Sequence, residues 1–397
     1  MTRDLARRLV VGLIGFLTLV DLFAAQAILP TLAQTYGVSP AAMGVAVNAS
    51  TAGMAAAGLA VALFSHRLPR RGGIWISLAL LAIPTALLAY APDLATFTAL
   101  RIVQGVFMSA AFTLTMAYLS EQGAGETTAG ALAAYITGNV ASNLVGRLTS
   151  SALAATAGVA VNFYAFALLN LAGAALVFLT LSRTPGMAVQ AGEPRARIAA
   201  RLAAHFANRC LAASFGIGFC VLFAFLGVFT YVNFVLAAPP LSLSPMALGV
   251  VYLVFLPAMV TTPLAGAVAS RFGPRPTFFA SLGVAVAGLP LLLAGAIAPV
   301  IAGLTLVGAG TFFAQAVATG FVGRAARTDR AAASGIYLAS YYLGGLAGAW
   351  IVGRVFASAG WPSAVGLVAV ALVAAAALAA TLQPATAGTG TVGAAAG

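Results

Sequence analysis

The segment Val38-Ser39-Pro40-Ala41-Ala42-Met43-Gly44-Val45 returns later in the chain as Leu243-Ser244-Pro245-Met246-Ala247-Leu248-Gly249-Val250. In both copies a serine precedes a proline at the start of a long apolar stretch. Serine is a favoured N-cap and proline a favoured first helical residue, so each copy predicts the start of a helix. The two prolines lie 205 residues apart in a chain of 397. The chain is therefore predicted to contain one hydrophobic unit twice.

The end of each apolar stretch is repeated as well. The first stretch is followed by Ser65-His66-Arg67-Leu68-Pro69-Arg70, and the second by Ala269-Ser270-Arg271-Phe272-Gly273-Pro274. The two central arginines are 204 residues apart, nearly the offset of the prolines. Two copies of a hydrophobic module at a nearly constant offset are typical of membrane transporters.

The composition excludes a water-soluble fold. Hydrophobic residues make up 62% of the chain and charged residues 7%, and the mean hydropathy is +1.05. Soluble domains carry about 25% charged residues. Because backbone groups in hydrocarbon must be paired internally, the alternatives are helices or a closed barrel. Long apolar stretches without alternation select helices, so we predict an all-α membrane protein.

Twelve transmembrane helices are predicted, arranged as two six-helix bundles. The spans are about 9–34, 41–64, 73–91, 94–119, 129–155, 160–182, 210–236, 245–269, 276–296, 298–322, 331–355 and 362–382. The first bundle takes residues 1–182 and the second 210–382. A polar cytoplasmic linker, 183–209, joins them, and the Ala/Gly/Thr-rich tail 383–397 is predicted to be disordered.

Arginine placement predicts the orientation. The formal net charge is +12, and all 19 basic residues are arginine. Most of them cluster in alternate gaps between apolar stretches, and the other gaps hold none, which is the pattern of cytoplasmic loops. Both termini are then cytoplasmic. This placement argues against nucleic acid as a partner.

The first apolar stretch also resembles a cleavable signal peptide, since arginines precede it and Ala25-Gln26-Ala27 follows. Cleavage there would remove the first helix of one repeat, so the two repeats would no longer have equal numbers of helices. Asp21 also interrupts the apolar stretch. We therefore expect this helix to be retained.

Several motifs together resemble the major facilitator superfamily. They are the arginine-rich loops after helices 2 and 8, Arg101-Ile102-Val103-Gln104-Gly105 in helix 4, Gln26-x-x-Leu29-Pro30, Ala117-Tyr118-Leu119-Ser120-Glu121, Gly323-Arg324-Ala325-Ala326-Arg327-Thr328 and Tyr341-Tyr342-Leu343-Gly344. Within the superfamily the chain is similar to the twelve-helix drug/proton antiporter-type exporters, and to the bacterial inner-membrane subgroup typified by YnfM. The resemblance implies that helices 1, 4, 7 and 10 line a cavity and that helices 3, 6, 9 and 12 are outer supports.

The resemblance also implies gating loops after helices 2 and 8. The matching residues are His66, Arg67, Arg70, Arg71, Arg271 and Arg275. The chain departs from the family's Gly-x-x-x-Asp-Arg-x-Gly-Arg-Arg, because His66 and Ser270 stand in the two Asp positions. It also departs from the antiporter motif Gly-Pro-x-x-Gly-Gly of helix 5, where it has Gly138-Asn139-Val140-Ala141-Ser142-Asn143.

Charges inside the membrane are the clearest functional signal. Four are predicted, namely Asp21, Arg101, Arg147 and Arg354. A charge at the bilayer centre costs about 2.5–3.5 kcal/mol on insertion scales, so it faces a cavity or a partner. Asp21 lies near mid-membrane and is the predicted proton-coupling residue. The alternative is a structural ion pair with Arg101 or Arg147.

Polar side chains at helical spacing supply the predicted substrate-binding residues. These are Arg101, Gln104, Asn139, Asn143, Arg147, Asn233, Thr311, Gln315, Tyr337 and Tyr341. Asn139, Asn143 and Arg147 form a stripe on one face of helix 5. The alternative for each residue is a bond that ties neighbouring helices together. Gly138, Ser142 and Gly146 run beside the stripe and predict close helix packing.

No catalytic constellation is found in the sequence. It has no Cys/His spacing for a metal and no Gly-Lys-Ser/Thr phosphate loop, since lysine is absent. We therefore predict no metal, no cofactor and no enzymatic activity.

These features predict a proton-coupled secondary transporter that exports a neutral or anionic organic molecule by alternating access, with the small molecule, protons and the lipid bilayer as partners. The excess of intramembrane arginine over acid is the reason to expect neutral or anionic substrates. A monomer in the bacterial cytoplasmic (inner) membrane is expected. The alternatives are an importer of a metabolite, such as a sugar or organic acid, and a non-transporting receptor or scaffold.

Overall fold

A computed structural model of the chain describes residues 2–64, 69–121, 126–182, 203–326 and 330–382. Within these ranges the chain is helical and forms twelve long helices, which we number α1 to α12. The predicted all-α, two-bundle membrane fold is thereby confirmed. Most of the predicted linker (183–202), the tail (383–397) and the loop residues His66 and Arg67 lie outside the described residues.

The first six helices form the first half of the molecule. They are α1 (Thr2–Ala27, continued after Ile28 by Leu29–Tyr36), α2 (Pro40–Asn48 and Ser50–Phe64), α3 (Arg70–Leu87, ending in the 3-10 turn Leu88–Tyr90), α4 (Leu94–Glu121), α5 (Glu126–Thr156) and α6 (Val159–Thr180).

The second half repeats this arrangement. Its helices are α7 (Arg209–Ala237), α8 (Pro245–Phe272), α9 (Pro274–Gly288, ending in the 3-10 turn Pro290–Leu293), α10 (Ile297–Ala325), and the long element Arg330–Ala380. Gly360, at φ 77°, divides this last element into α11 and α12. A positive φ strains any residue with a Cβ, so glycine sits at the turn.

The repeated Ser-Pro phrase starts equivalent helices, as predicted. The Ser39 hydroxyl accepts the amide N–H of Ala42 at 3.2 Å, and the Ser244 hydroxyl accepts that of Ala247 at 3.3 Å. The proline that follows each serine stands where a helical N–H has no internal partner. The same local chemistry therefore opens α2 and α8.

Helix α8 is less regular than α2. It contains the 3-10 segments Tyr252–Phe255 and Thr262–Leu264, separated by a short α-helical segment. Pro257 and Pro263 lie in this stretch, and each removes one main-chain donor from the helix. The tightened turn changes the directions in which the side chains of α8 point toward the first half.

Small residues let specific helices pack closely. In the first half α1 packs on α5, α2 on α4 and α3 on α6; in the second half α7 packs on α11 and α9 on α10. A Cβ added at Gly138 of α5 would overlap the carbonyl oxygen of Gly12, and one added at Gly344 of α11 would overlap that of Phe219. The glycine spacing on helix 5 thus corresponds to a close helix contact.

Helices α2 and α4 cross as closely as α1 and α5 do. A Cβ at Gly105 would overlap the carbonyl oxygen of Ser50. We expect Gly105→Ala to lower the unfolding free energy by about 1–3 kcal/mol, because overpacking moves two backbones apart. The measurement is thermal unfolding in detergent. Gly283→Ala is the matched control, since nothing lies within 4 Å of its added Cβ. Equal melting temperatures for both variants would contradict this packing.

Candidate functional site

Asp21 of α1 lies among neutral polar side chains from three other helices. It is 3% exposed. Its Oδ1 accepts a hydrogen bond from the Thr85 hydroxyl of α3 at 3.1 Å and from Gln104 Nε2 of α4 at 3.5 Å. Asn170 Nδ2 of α6 donates to the same Thr85 hydroxyl at 3.2 Å. The second carboxyl oxygen, Oδ2, has no hydrogen-bond partner among the described residues.

Arg101 is fully buried beside this carboxyl group but bonds elsewhere. Its Nη1 donates to Gln104 Oε1 at 2.7 Å and to the main-chain carbonyl of Asp21 at 3.2 Å. Its Nε donates to the carbonyl of Val47 at 2.8 Å, and its Nη2 to the Ser50 hydroxyl at 3.1 Å. The guanidinium therefore fastens α1 and α2 to α4. We call Asp21, Thr85, Arg101, Gln104 and Asn170 the Asp21 cluster.

A second polar cluster centres on Arg147 of α5. Its Nε donates to Asn143 Oδ1 at 2.8 Å, and its Nη2 donates to Gln26 Oε1 of α1. The guanidinium carbon lies 4.3 Å from the ring centroid of Tyr252 on α8. A cation over an aromatic face is attracted by the ring's charge distribution. Arg147 of the first half thus contacts the second half by a cation–π interaction with Tyr252.

Amide groups extend this cluster across the interface. Gln26 Nε2 donates to Asn48 Oδ1 at 2.6 Å, and Asn48 Nδ2 donates to the Thr230 hydroxyl of α7 at 3.0 Å. Asn233 Nδ2 lies 3.4 Å from the carbonyl of Gln26, while its Oδ1 accepts the Tyr252 hydroxyl at 2.5 Å. We call the set Gln26, Asn48, Asn143, Arg147, Thr230, Asn233 and Tyr252 the inter-half network.

Two local sequence features produce this network. Pro30 lacks the N–H that would bond the carbonyl of Gln26 in a continuous helix, so that carbonyl is available to Asn233. Tyr252 begins the 3-10 segment of α8. Both features lie near the ends of helices, at the end of the bundle away from the arginine-rich loops.

Helix α5 contacts the second half at this arginine-poor end. Helix α5 packs against Pro245–Val251, Tyr252–Phe255 and Leu256–Thr261 of α8, whereas Ala265–Phe272 of α8 packs against α9 and α10. Ser151 of α5 is buried against Gly249 of α8. The contact of α5 with the second half thus follows the first part of α8, which includes Tyr252 of the inter-half network, while α2 packs along the element Arg330–Ala380.

The remaining predicted site residues lie outside the Asp21 cluster and the inter-half network, on α5, α10 and α11. Thr311 hydrogen-bonds the carbonyl of Val307 in its own helix at 2.7 Å, and Gln315 is half-buried one turn later. Tyr337 and Tyr341 are buried on α11, with ring centroids 6.1 Å apart. Asn139 is buried, and its Oδ1 has no partner among the described residues.

Three of the loop arginines, Arg71, Arg271 and Arg275, make contacts within their own halves. Arg71 donates to the carbonyl of Phe178 near the end of α6, and its guanidinium lies 4.8 Å from the Phe178 ring centroid. Arg271 and Arg275 lie over the rings of Phe272 and Phe279, respectively. Arg70 is buried at the start of α3. Outside the membrane, the amide N–H of Thr96 binds Asp93 at 2.7 Å and lowers the pKa of that exposed carboxyl.

Some members of both clusters were not predicted from sequence. Thr85 and Asn170 lie on α3 and α6, which carry no charge between their ends and were expected to be outer supports. Tyr252 is a single polar group in an apolar stretch, and Thr230 lies three residues before Asn233. The available signal was helical spacing, because Thr230 precedes Asn233 by three residues and so shares its face.

Known proteins resemble this chain in sequence over most of its length. The family model described as Major Facilitator Superfamily matches residues 11–260 and 241–394. The chain is 28% identical to the inner membrane transport protein YnfM of Escherichia coli (strain K12) over 347 residues, covering 87% of this chain and 83% of that protein. It is 25% identical to the uncharacterized MFS-type transporter YybF of Bacillus subtilis (strain 168) over 358 residues, covering 89% and 87%.

Solved structures show the same fold. A bacterial homologue of the human lysosomal transporter Spinster, in an inward-facing and unoccupied conformation, matches with a TM-score of 0.72 at 15% identity. The match covers 96% of this chain and 94% of that one. The inward-facing, occupied form of that homologue matches with a TM-score of 0.70 at 14% identity, covering 94% and 93%.

The inter-half network predicts that Arg147 holds the arginine-poor end closed. Replacing Arg147 by Met keeps a long unbranched side chain but removes the guanidinium. The charge-assisted hydrogen bonds that are lost contribute about 1.5–3 kcal/mol each. We expect a cysteine at Ser151, in a variant with Cys210 and Cys220 changed to Ser, to react with a maleimide about tenfold faster after this replacement.

The measurement is labelling rate in detergent. Arg354→Met is the matched control, because Arg354 is exposed on α11 and its loss should leave the rate unchanged. An unaltered rate in the Arg147 variant would refute the closing role.

Proposed function

Because the chain belongs to the major facilitator superfamily and is a multi-pass membrane transporter, we propose that it couples proton movement to the export of a small neutral or anionic organic molecule. The observation that carries the proposal is the bonding of Asp21. This buried carboxyl is held by neutral donors on one oxygen and has no hydrogen-bond partner on the other. Such a group can exist with or without a proton.

The position of Arg101 supports a titratable carboxyl over a fixed ion pair. Its guanidinium hydrogen-bonds the main-chain carbonyl of Asp21, so its hydrogen bonds do not join the two side-chain charges. A full carboxylate charge in a low-dielectric interior is costly unless it is paired by hydrogen bonds and opposite charge. Withdrawal from water favours the uncharged form of a carboxyl, and a nearby cation opposes this. Small movements of Arg101 relative to Asp21 would therefore change proton occupancy.

Arg101 also connects the carboxyl of Asp21, through α2, to the interface between the two halves. Arg101 holds Val47 and Ser50, which lie on either side of the break in α2 at Ala49. Asn48, next to Val47, bonds both Gln26 and Thr230 of the inter-half network. A change in the Asp21 cluster thus reaches α7 through one turn of α2. We propose that protonation biases the opening of the arginine-poor end by this route.

Orientation follows from the arginine clusters. With the arginine-rich end proposed to be cytoplasmic, the inter-half network would close the external side. The two halves then rock about a site between them, as in alternating access. The bacterial cytoplasmic membrane and a monomeric state complete this proposal.

The proton-coupling role predicts the behaviour of Asp21→Asn. In proteoliposomes with an imposed pH gradient and a panel of organic compounds, we expect this variant to lose pH-driven flux, because an amide cannot carry a proton. Substrate binding and gradient-free exchange should persist, since the amide keeps the size and the acceptor of the carboxyl. The measurement compares flux with and without the gradient.

Asp93→Asn is the matched control, because it removes a carboxylate that is exposed between α3 and α4. It should retain pH-driven flux. Normal pH-driven flux in the Asp21 variant would rule out its role in coupling. Vesicles of known orientation also give the direction of substrate transport. Accumulation of substrate on the cytoplasmic side would favour an importer.

The charge of the substrate is a separate prediction. The buried intramembrane charges are one aspartate and two arginines, Arg101 and Arg147, among the described residues. A cation would meet net positive charge, which is repulsive at low dielectric. We expect the purified protein to transport neutral or anionic compounds in preference to cationic dyes. Faster flux of a cationic dye than of uncharged compounds of similar size would contradict it.

A further inference from the structure

A cavity of about 150 Å³ lies between the two halves at the arginine-poor end. It is lined by Ile28 of α1 and Ala154 of α5 from the first half, and by Ala237 of α7 and Leu248 of α8 from the second. Beside it, α7 packs on the Leu29–Tyr36 part of α1, and the first part of α8 packs on α5. Residues from both halves therefore enclose one space, which we call the interface cavity.

The interface cavity extends from the surface into the interior. Gln34 and Pro245 line it and are exposed, so they form its mouth. Ile28 and Leu248 line it and are each 3% exposed, so they form its floor. A molecule on the arginine-poor side can thus enter the cavity without passing through either bundle.

A hydroxyl group without a hydrogen-bond partner also lines the interface cavity. Ser151 of α5 is 1% exposed, and its Oγ has no partner among the described residues. A helical serine can bond the carbonyl four residues earlier, as Ser358 does at 2.9 Å. The Ser151 oxygen instead faces α8, since a Cβ added at Gly249 would lie 3.0 Å from it. A buried hydroxyl left unpaired is destabilising, so a ligand that pairs it gains affinity.

The lining sets the size and polarity of the ligand. An apolar cavity of about 150 Å³ holds a molecule the size of benzene. Most of the lining is apolar, and its polar members among the described residues are Thr31, Gln34 and Ser151. These described lining residues carry no charge, so an ion would be buried there without a counter-charge. The ligand that fits is a small uncharged compound with an apolar body and one hydroxyl or amide group.

We infer that the interface cavity binds such a compound and that the bound compound holds the two halves together at the arginine-poor end. Its contacts come from both halves, so they are lost when the halves separate. A ligand shifts an equilibrium toward the state that it binds better, which here is the closed arginine-poor end. The consequence for transport rests on the proposed alternating access, whereas binding does not.

Benzyl alcohol is the probe, because it joins a benzene-sized ring to one hydroxyl. Purified full-length protein carrying Cys210→Ser, Cys220→Ser and Ala154→Cys is labelled with a maleimide in detergent. We expect benzyl alcohol to slow labelling at position 154, because it occupies the cavity that Ala154 lines. Ala157→Cys in the same background is the matched control. Ala157 is exposed beyond the end of α5, so its labelling rate should not change.

Ser151→Ala, added to the Ala154→Cys protein, tests the hydroxyl. We expect half-protection to need about fivefold more benzyl alcohol, as for the loss of one hydrogen bond. The melting temperature without ligand should not fall, because the Ser151 oxygen has no hydrogen bond to lose. Benzylamine, a cation at neutral pH, should protect less than benzyl alcohol.

Three outcomes would overturn the binding site. They are no protection at position 154, equal slowing at positions 154 and 157, and equal half-protection with and without the Ser151 hydroxyl. The second of these is what partition of the probe into detergent alone would give. Stronger protection by benzylamine than by benzyl alcohol would overturn the uncharged ligand class.

Hydrogen exchange measures whether the bound compound holds the halves together. Tyr252–Phe255 follows Leu248 on α8, and its Tyr252 contacts Arg147 of the first half. We expect benzyl alcohol to slow exchange of these main-chain amides in wild type, and to slow it less in Ser151→Ala. Protection at position 154 without slower exchange here would overturn the holding role. Neither measurement uses a pH gradient, so both are independent of the flux of Asp21→Asn.

Discussion

The cost of an unpaired polar group in hydrocarbon governs the interior of this protein. The three buried intramembrane charges, Asp21, Arg101 and Arg147, each have a hydrogen-bond partner on another helix. Arg101 bonds main-chain and side-chain oxygens on three helices, while Arg147 bonds two amide oxygens and lies over Tyr252. The helices cannot separate at these points without stranding a guanidinium. Polar pairing therefore decides which contacts are fixed and which can exchange.

The first part of α2 connects the two fixed clusters. Val47 and Ser50 hold Arg101 of the Asp21 cluster, and Asn48 between them bonds Gln26 and Thr230 of the inter-half network. The helix is interrupted at Ala49, within this same turn. A rearrangement at the proton site and a rearrangement between halves thus share one backbone segment. This arrangement gives proton binding a physical means of altering the closed end, which a carboxyl isolated in one bundle would lack.

Sequence reasoning identified the charged members of both clusters but not most of their neutral partners. An arginine or aspartate in an apolar helix is conspicuous because its insertion is costly. Thr85, Asn170 and Tyr252 are individually inexpensive in a membrane helix, since a hydroxyl or amide can bond its own helix or a neighbour. Thr85 does so, bonding the carbonyl of Leu81 at 2.8 Å as well as Asp21. Only the packing of α3 and α6 beside α1 makes these residues neighbours of Asp21.

The sequence by itself determined the helical class, the twelve spans, the duplicated halves and the Ser-Pro helix starts, because hydropathy and capping act locally along the chain. It also singled out Asp21, Arg101 and Arg147 by their charge. The tertiary structure alone decided that Arg101 binds the backbone of Asp21 and that Arg147 reaches the second half through Tyr252. These pairings depend on crossing positions and helix rotations, which close packing of glycines and the proline-tightened turns of α8 set in three dimensions.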